Sequence, residues 1–175
     1  LFKRLVHAAH RYAEYGVGES TAYVLRATNV ERVVCIDTSR HWLDRIARQF
    51  PHNARLCAVH VELGPLGAFG RPASFRHHRD FMRYVEAPFT HGPPPDVVLV
   101  DGRFRVACLL HCLLNGPPGL KVLFDDYRPR PHYHVVEDVV RPVETCGRQA
   151  LFVQEAGFDR AHAEWLRDRF LFVTD

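Results

Sequence analysis

Tyr12-Ala13-Glu14-Tyr15-Gly16-Val17-Gly18-Glu19-Ser20-Thr21 decides how the rest of the chain is read. Tyr12–Tyr15 has the composition of a short strand, Gly16-Val17-Gly18 that of a tight loop, and Ser20 that of a cap for a helix running to about Ala27. Gly16 permits the turn, and Gly18 lets the backbone come close to a ligand. A strand, a glycine loop and a helix in that order open a βα unit.

The alternation continues on both sides. Residues 1–11 read as an amphipathic helix. Arg32–Ile36 is a second strand, apolar through its centre as a parallel strand covered on both faces should be, and it stops at Asp37. Ser39 caps a helix whose apolar positions Trp42, Leu43, Ile46 and Phe50 keep the helical period, and Pro51 ends it. Ala54–Val61 is a third strand, Asp96–Val100 a fourth and Leu120–Phe124 a fifth, with an apolar helix over 104–114 between the last two. The glycine- and proline-rich segment 62–95 is the hardest to read, and a helix over about 75–85 fits inside it. His132–Val140 reads as a helix, 143–146 and 150–153 as strands joined through Gly147, and Asp159 to about Arg169 as a last helix. Five βα units in succession predict an α/β fold. It is a doubly wound, mostly parallel sheet with helices on both faces, right-handed crossovers and an antiparallel edge or β-hairpin near the C-terminus. No internal repeat interrupts it, and one domain over 1–175 is expected.

Composition excludes several classes. The 175 residues are 47% hydrophobic, 25% charged and 11% aromatic, as expected of a folded domain rather than a disordered chain. No apolar run reaches the ~20 residues that span a bilayer. The net charge of +3 is too mild to predict a nucleic-acid partner. Five cysteines without a CxxC pair read as free thiols in a reducing compartment, so a cytoplasmic location is expected. Cys108 and Cys112 are neighbours on one helix, but no second pair completes a zinc site. The chain begins with Leu1 and carries no leader pattern, which suggests that its natural start lies upstream. The expected partner is a small-molecule substrate, with no membrane; a homodimer stays open.

In such sheets, ligands bind outside the carboxyl ends of the strands. Those ends carry Glu14 through Gly18, then Asp37, Asp101-Gly102 and Asp125-Asp126, so four of five strands deliver a carboxylate to one edge. Asp37 follows Gly18 by 19 residues, near the ~20 expected of a carboxylate that takes a ribose hydroxyl. Thr21 stands where a dinucleotide fingerprint would have its third glycine.

Glu14-x-Gly16-x-Gly18 with Asp37, over roughly residues 10–155, resembles motif I and the acidic loop of class I S-adenosylmethionine-dependent methyltransferases. The resemblance implies S-adenosyl-L-methionine as cofactor. It implies a binding set of Glu14, Tyr15, Gly16, Gly18, Ser20, Asp37, Thr38 and Asp101, with Glu14, Gly16 and Gly18 lining the methionine half and Asp37 on the ribose. A dehydrogenase more often keeps the third glycine for a pyrophosphate that this cofactor lacks. Asp101 with Asp125-Asp126 also resembles the metal triad of catechol-type O-methyltransferases, with Asp126 where that family commonly has Asn. That likeness implies Mg²⁺ or Mn²⁺ (Ca²⁺ suits the same oxygen ligands) held by Asp101, Asp125 and Asp126. The metal would take two substrate oxygens and lower a hydroxyl's pKa. The expected activity is methyl transfer to a hydroxyl of a sugar, uronate or catechol-like molecule.

Asp126-Tyr127-Arg128-Pro129-Arg130-Pro131-His132-Tyr133-His134 leaves the fifth strand at that edge. Candidate catalytic groups are Asp101, Asp126, His132 and His134; the histidines are two apart, so one of them should face the site. Arg103 and Tyr127 are candidate substrate contacts, Arg103 and Arg105 as grips for an anionic group. Trp42 is expected in the core and His77-His78 at the surface. Other readings are a non-catalytic Rossmann-like binding module and a nucleotide-linked oxidoreductase. An RNA methyltransferase is disfavoured by the mild charge and the missing Asn-Pro-Pro-Tyr-type motif.

Overall fold

The computed structural model describes residues 1–155 and 157–174. Strands β1 (Arg11–Tyr15), β2 (Arg32–Asp37), β3 (Leu56–His60), β4 (Val97–Val100) and β5 (Lys121–Phe124) run parallel. β6 (Glu144–Cys146) and β7 (Gln149–Val153) form an antiparallel hairpin through Gly147, and β7 pairs antiparallel with β5. The order is β3-β2-β1-β4-β5-β7-β6, so the sheet reverses direction of growth at β1 and β4. That is where an open α/β sheet leaves a crevice.

The pleat sorts side chains between two layers. Tyr12, Val97, Leu99 and Leu123 point to one face, covered by α1 (Phe2–His7) and α2 (Glu19–Ala27), with α3 (Arg40–Gln49) beside them. Ala13, Tyr15, Val98, Val100, Val122 and Phe124 point to the other, covered by α4 (Phe81–Thr90), α5 (Arg105–Asn115) and α6 (Arg160–Phe170). Every residue of α5 from Arg105 to Leu114 is buried, so this helix is the spine of that layer. No helix among the described residues is long and apolar enough to cross a membrane.

Three elements differ from expectation. The first helix stops at His7, because the Asp96 carboxylate accepts from the N–H groups of His10 and Arg11 and draws the chain into β1. The helix sought over 75–85 is a 3-10 segment (Phe75–Asp80) followed by α4, since the buried set Phe81, Tyr84, Val85 and Pro88 takes up the helical period only at Phe81. Pro131–Asp138 is 3-10 rather than α, with Tyr133 and Val136, three apart, as its buried pair. At the far end of α2, Arg55 donates to the carbonyls of Leu25, Thr28 and Val30, satisfying acceptors the helix leaves open.

Candidate functional site

A cleft of about 1110 Å³ opens over the carboxyl ends of β1, β2, β4 and β5. Gly16, Gly18, Ser20, Asp37, Thr38, Asp101, Arg103, Asp125, Asp126 and His132 all line it. The first wall is the loop after β1. Gly16 has φ +90, and a Cβ there would sit 2.8 Å from the Asp101 carbonyl oxygen, so only glycine lets β1 and β4 close on each other. Its N–H donates to Ile36 O at 2.8 Å.

Glu14 lies beneath this loop and does not line the cleft. It is wholly buried and accepts hydrogen bonds from Tyr12, Ser20 and Thr21 hydroxyls. Burial pushes its pKa up to about 7 against those donors. It therefore shapes the loop and the start of α2 from below. Tyr15 points to the opposite face of the sheet, where its hydroxyl donates to Val85 O.

Asp37 is the second wall. Its two oxygens accept from Val17 N at 3.0 Å and Ser39 N at 2.8 Å, which orients the carboxylate and joins the glycine loop to the end of β2. Burial raises its pKa, and the backbone N–H donors oppose the shift. Each oxygen keeps a lone pair for a further donor. Thr38 donates to Gly70 O at 2.8 Å and so ties down the loop that follows β3. That loop brings Phe69 to the cleft, 91% exposed and in left-handed backbone at φ 58.

Asp101, Asp125 and Asp126 form the floor, with ligand oxygens within 4.8 Å of one another. The meeting predicted from their strand ends takes place, but arginines have joined them. Arg105, buried on α5, donates to the carbonyls of Gly102, Asp125 and Asp101, and pairs with Asp101 at 3.0 Å and Asp126 at 3.6 Å. Arg148 pairs with Asp125 at 2.6 Å and Asp126 at 3.4 Å, and Gln149 donates to Asp125 at 3.0 Å. Arg130 pairs with Asp126 at 3.0 Å. Three guanidinium groups thus balance three carboxylates. As arranged, this set does not fit a divalent cation, because both oxygens of Asp125 and of Asp126 already face guanidinium donors. Burial, with Asp125 and Asp126 adding to it, pushes the Asp101 carboxyl up to about 6 although Arg105 opposes the shift. Asp126, just after β5, lines the cleft in left-handed backbone at φ 55, and Phe104, buried at the start of α5, holds the same conformation at φ 54.

No protein-family model matches the chain, and no curated protein matches it. Solved structures do. A methyltransferase-like protein from Silicibacter pomeroyi dss-3 superposes with a TM-score of 0.86 at 28% identity, over 98% of this chain and 92% of its own. The N-methyltransferase NodS from Bradyrhizobium japonicum WM9 superposes with a TM-score of 0.53 at 13% identity, over 87% of this chain and 92% of that one, a likeness of fold alone.

The chain has the class I S-adenosylmethionine-dependent methyltransferase fold. Within the methyltransferase fold, the expected residues divide. Gly16, Gly18, Ser20, Asp37, Thr38 and Asp101 line the cleft, whereas Glu14 and Tyr15 support its wall from below and behind. Of the two histidines, His132 lines the cleft; His134 donates to Tyr127 O at 3.1 Å and its ring packs on Tyr127, away from the cleft. Tyr127 is buried, with its hydroxyl donating to Glu137 at 2.8 Å, so it is no cleft residue either. Trp42, expected in the core, is 42% exposed and lines the rim.

Sequence reasoning missed Arg71, Tyr84, Arg130, Arg148 and Gln149. Arg130 lies in the quoted 126–134 stretch, four residues from Asp126, but no local pattern marks Arg71, Tyr84, Arg148 or Gln149, which the loop after β3, α4 and the β6–β7 hairpin bring in from a distance. Gly102 was named only as a strand-end residue; a Cβ there would lie 2.1 Å from the Tyr84 hydroxyl and 2.8 Å from Gly16 N.

Proposed function

We propose that this protein transfers the methyl group of S-adenosyl-L-methionine to a hydroxyl of a small-molecule acceptor. The observation that carries the reading is Asp37, held by Val17 and Ser39 N–H groups across from the Gly16–Gly18 loop, in a fold shared with a methyltransferase-like protein over nearly its whole length. The residues fit the cofactor: Asp37 has acceptor capacity for ribose hydroxyls. The loop opens at Gly18, where a Cβ would meet no protein atom. Ser20 and Lys3 flank the start of α2 for the methionine end. A cleft of about 1110 Å³ exceeds the roughly 300–1,000 Å³ usual for one small ligand, which leaves room for an acceptor.

The bound cofactor supplies an electrophilic methyl on a sulfonium. The chain then has to hold an acceptor oxygen in line with it, exclude water and take one proton. Asp101 and His132 are the acid–base groups on the acceptor side. An Asp101 carboxyl titrating near 6 is ionised at neutral pH and more basic than an ordinary aspartate, which suits it to accept the hydroxyl proton. As the O–CH₃ bond forms the S–CH₃ bond breaks, the proton passes to Asp101, and a neutral thioether leaves. No step runs through a metal.

Calorimetric titration with S-adenosylmethionine and S-adenosylhomocysteine tests the reading. Binding is expected near micromolar, and Asp37→Ala should weaken it by about tenfold to a hundredfold, the loss of a charged hydrogen-bond partner. Wild-type affinity in Asp37→Ala would remove Asp37 from the cofactor site. No binding of either ligand to the wild type would overturn the proposal.

A further inference from the structure

We infer that the acceptor is an anion whose carboxylate or phosphate group sits between Arg103 and Arg71. This rests on the methyl-transfer reading above and adds the chemical class of the acceptor. Six cationic side chains line the cleft: Lys3, Arg71, Arg103, Arg105, Arg130 and Arg148. Arg105, Arg130 and Arg148 are committed to Asp101, Asp125 and Asp126. All the donor positions of Arg105 face acceptors, which excludes it as a grip. Lys3 lies over the Tyr23 ring, on the α2 side with Ser20.

Arg103 is different. It is half-buried, yet among the described residues no carboxylate lies within ion-pair distance of it, and its guanidinium reaches only the Thr174 carbonyl at 3.5 Å. Its backbone is fixed, since its N–H donates to the Tyr84 hydroxyl at 3.2 Å. Burial depresses its pKa, and the charges of Arg105 and Arg71 push the same way. Tyr84 and Tyr133 oppose the shift, and Asp37 acts on Arg103 from beyond ion-pair distance; a partly desolvated guanidinium without a direct ion pair still favours an anion that can reach it.

Arg71 comes from the loop after β3, which is closed on itself. Gly67 N donates to Arg71 O at 2.7 Å, Leu66 bridges Pro72, and Thr38 holds Gly70. Arg71 likewise has no ion pair among the described residues. The two arginines thus approach one cleft from the β3 and β4 loops, on anchored backbones. Guanidinium forks match carboxylate and phosphate oxygens in pairs. The methionine carboxylate of the cofactor is provided for elsewhere, at the start of α2.

The test is titration of inorganic phosphate and of benzoate into the protein loaded with S-adenosylhomocysteine, at constant ionic strength. One-site binding is expected with a dissociation constant of about 1–10 mM. Arg103→Gln should weaken it by about tenfold or more and Arg71→Gln by several-fold, with affinity for S-adenosylhomocysteine kept within about twofold. Saturation by phosphate alone assigns a phosphorylated acceptor, and by benzoate alone a carboxylated one. The inference is overturned if neither anion saturates, or if Arg103→Gln binds them as the wild type does. It is also overturned if Arg103→Gln loses affinity for S-adenosylhomocysteine in step with the anion, since Arg103 would then serve the cofactor. Failure of the wild type to bind S-adenosylhomocysteine, read before any anion is added, removes the methyl-transfer reading itself.

Discussion

Glu14 and Asp37 are both carboxylates at the ends of neighbouring strands but opposite in surroundings: one is sealed under the glycine loop, the other faces the cleft. Glu14 titrates near 7 in the folded protein against 4.5 as its ordinary value, so the native state holds its proton more tightly than the unfolded chain does. Its contribution to stability is complete below about 4.5 and is lost as pH rises through about 7. Thermal melts should therefore show a fall in Tm across that window, and Glu14→Gln should flatten it; an unchanged slope in the variant would assign the fall to another group. For Asp101, the ionised form is the useful one. Once an acceptor is found, kcat/KM should rise with pH through an apparent pKa of about 6 and level off. Asp101→Asn should remove that limb and lower the rate by about a hundredfold or more, while S-adenosylhomocysteine binding persists. Both carboxylates were legible as residues from their place after a strand. Which of them lines the cleft was not, because both lie on one face of the sheet (Glu14 pairs with Cys35, two residues before Asp37) and differ only in what the glycine loop covers.

At the scale of elements, the cleft depends on β1 and β4 approaching closely. Gly16 and Gly102 meet there, with Gly102 also against the Tyr84 hydroxyl. Gly16→Ala places a methyl 2.8 Å from a carbonyl oxygen at φ +90, so a loss of about 1–3 kcal/mol in stability is expected from strain and crowding. Chemical denaturation measures it, and cofactor titration should show a parallel loss, since the same loop forms the binding wall. The strands and the glycine loop were readable because their signals are local: apolar runs, turn residues and caps. The 62–80 segment was not, because its order comes from contacts with other parts of the chain. Thr38 hooks Gly70, and Phe172 packs near Phe75, His78 and Phe81.

Across the whole molecule, the floor of the cleft is a balanced set of charges drawn from three regions: Asp101 from the end of β4, Asp125 and Asp126 from the end of β5, and arginines from α5, the β5 exit loop and the β6–β7 hairpin. This balance sets its response to metal. Mg²⁺ should leave the Tm of the wild type unchanged. Arg148→Ala, which uncovers Asp125, should acquire a Tm that climbs with added Mg²⁺; a wild-type protein stabilised by millimolar Mg²⁺ would instead restore the three aspartates as metal ligands. Arg105→Gln removes the buried centre of the set and should cost about 3–5 kcal/mol in stability.

The order of strands and helices, the glycine loop and the row of acids at the strand ends were determined by the sequence alone. Each is encoded over a few residues by backbone preference and by a period of two or 3.6. Only the tertiary structure decided what those acids pair with. A guanidinium on a long side chain reaches a carboxylate far away in the chain once the sheet order and the hairpin bring them together, and no local pattern records that meeting. Hence three aspartates that read as a metal triad stand as an ion network, while Arg71 and Arg103, unremarkable as a pair in the sequence, face one cleft with no ion pair among the described residues.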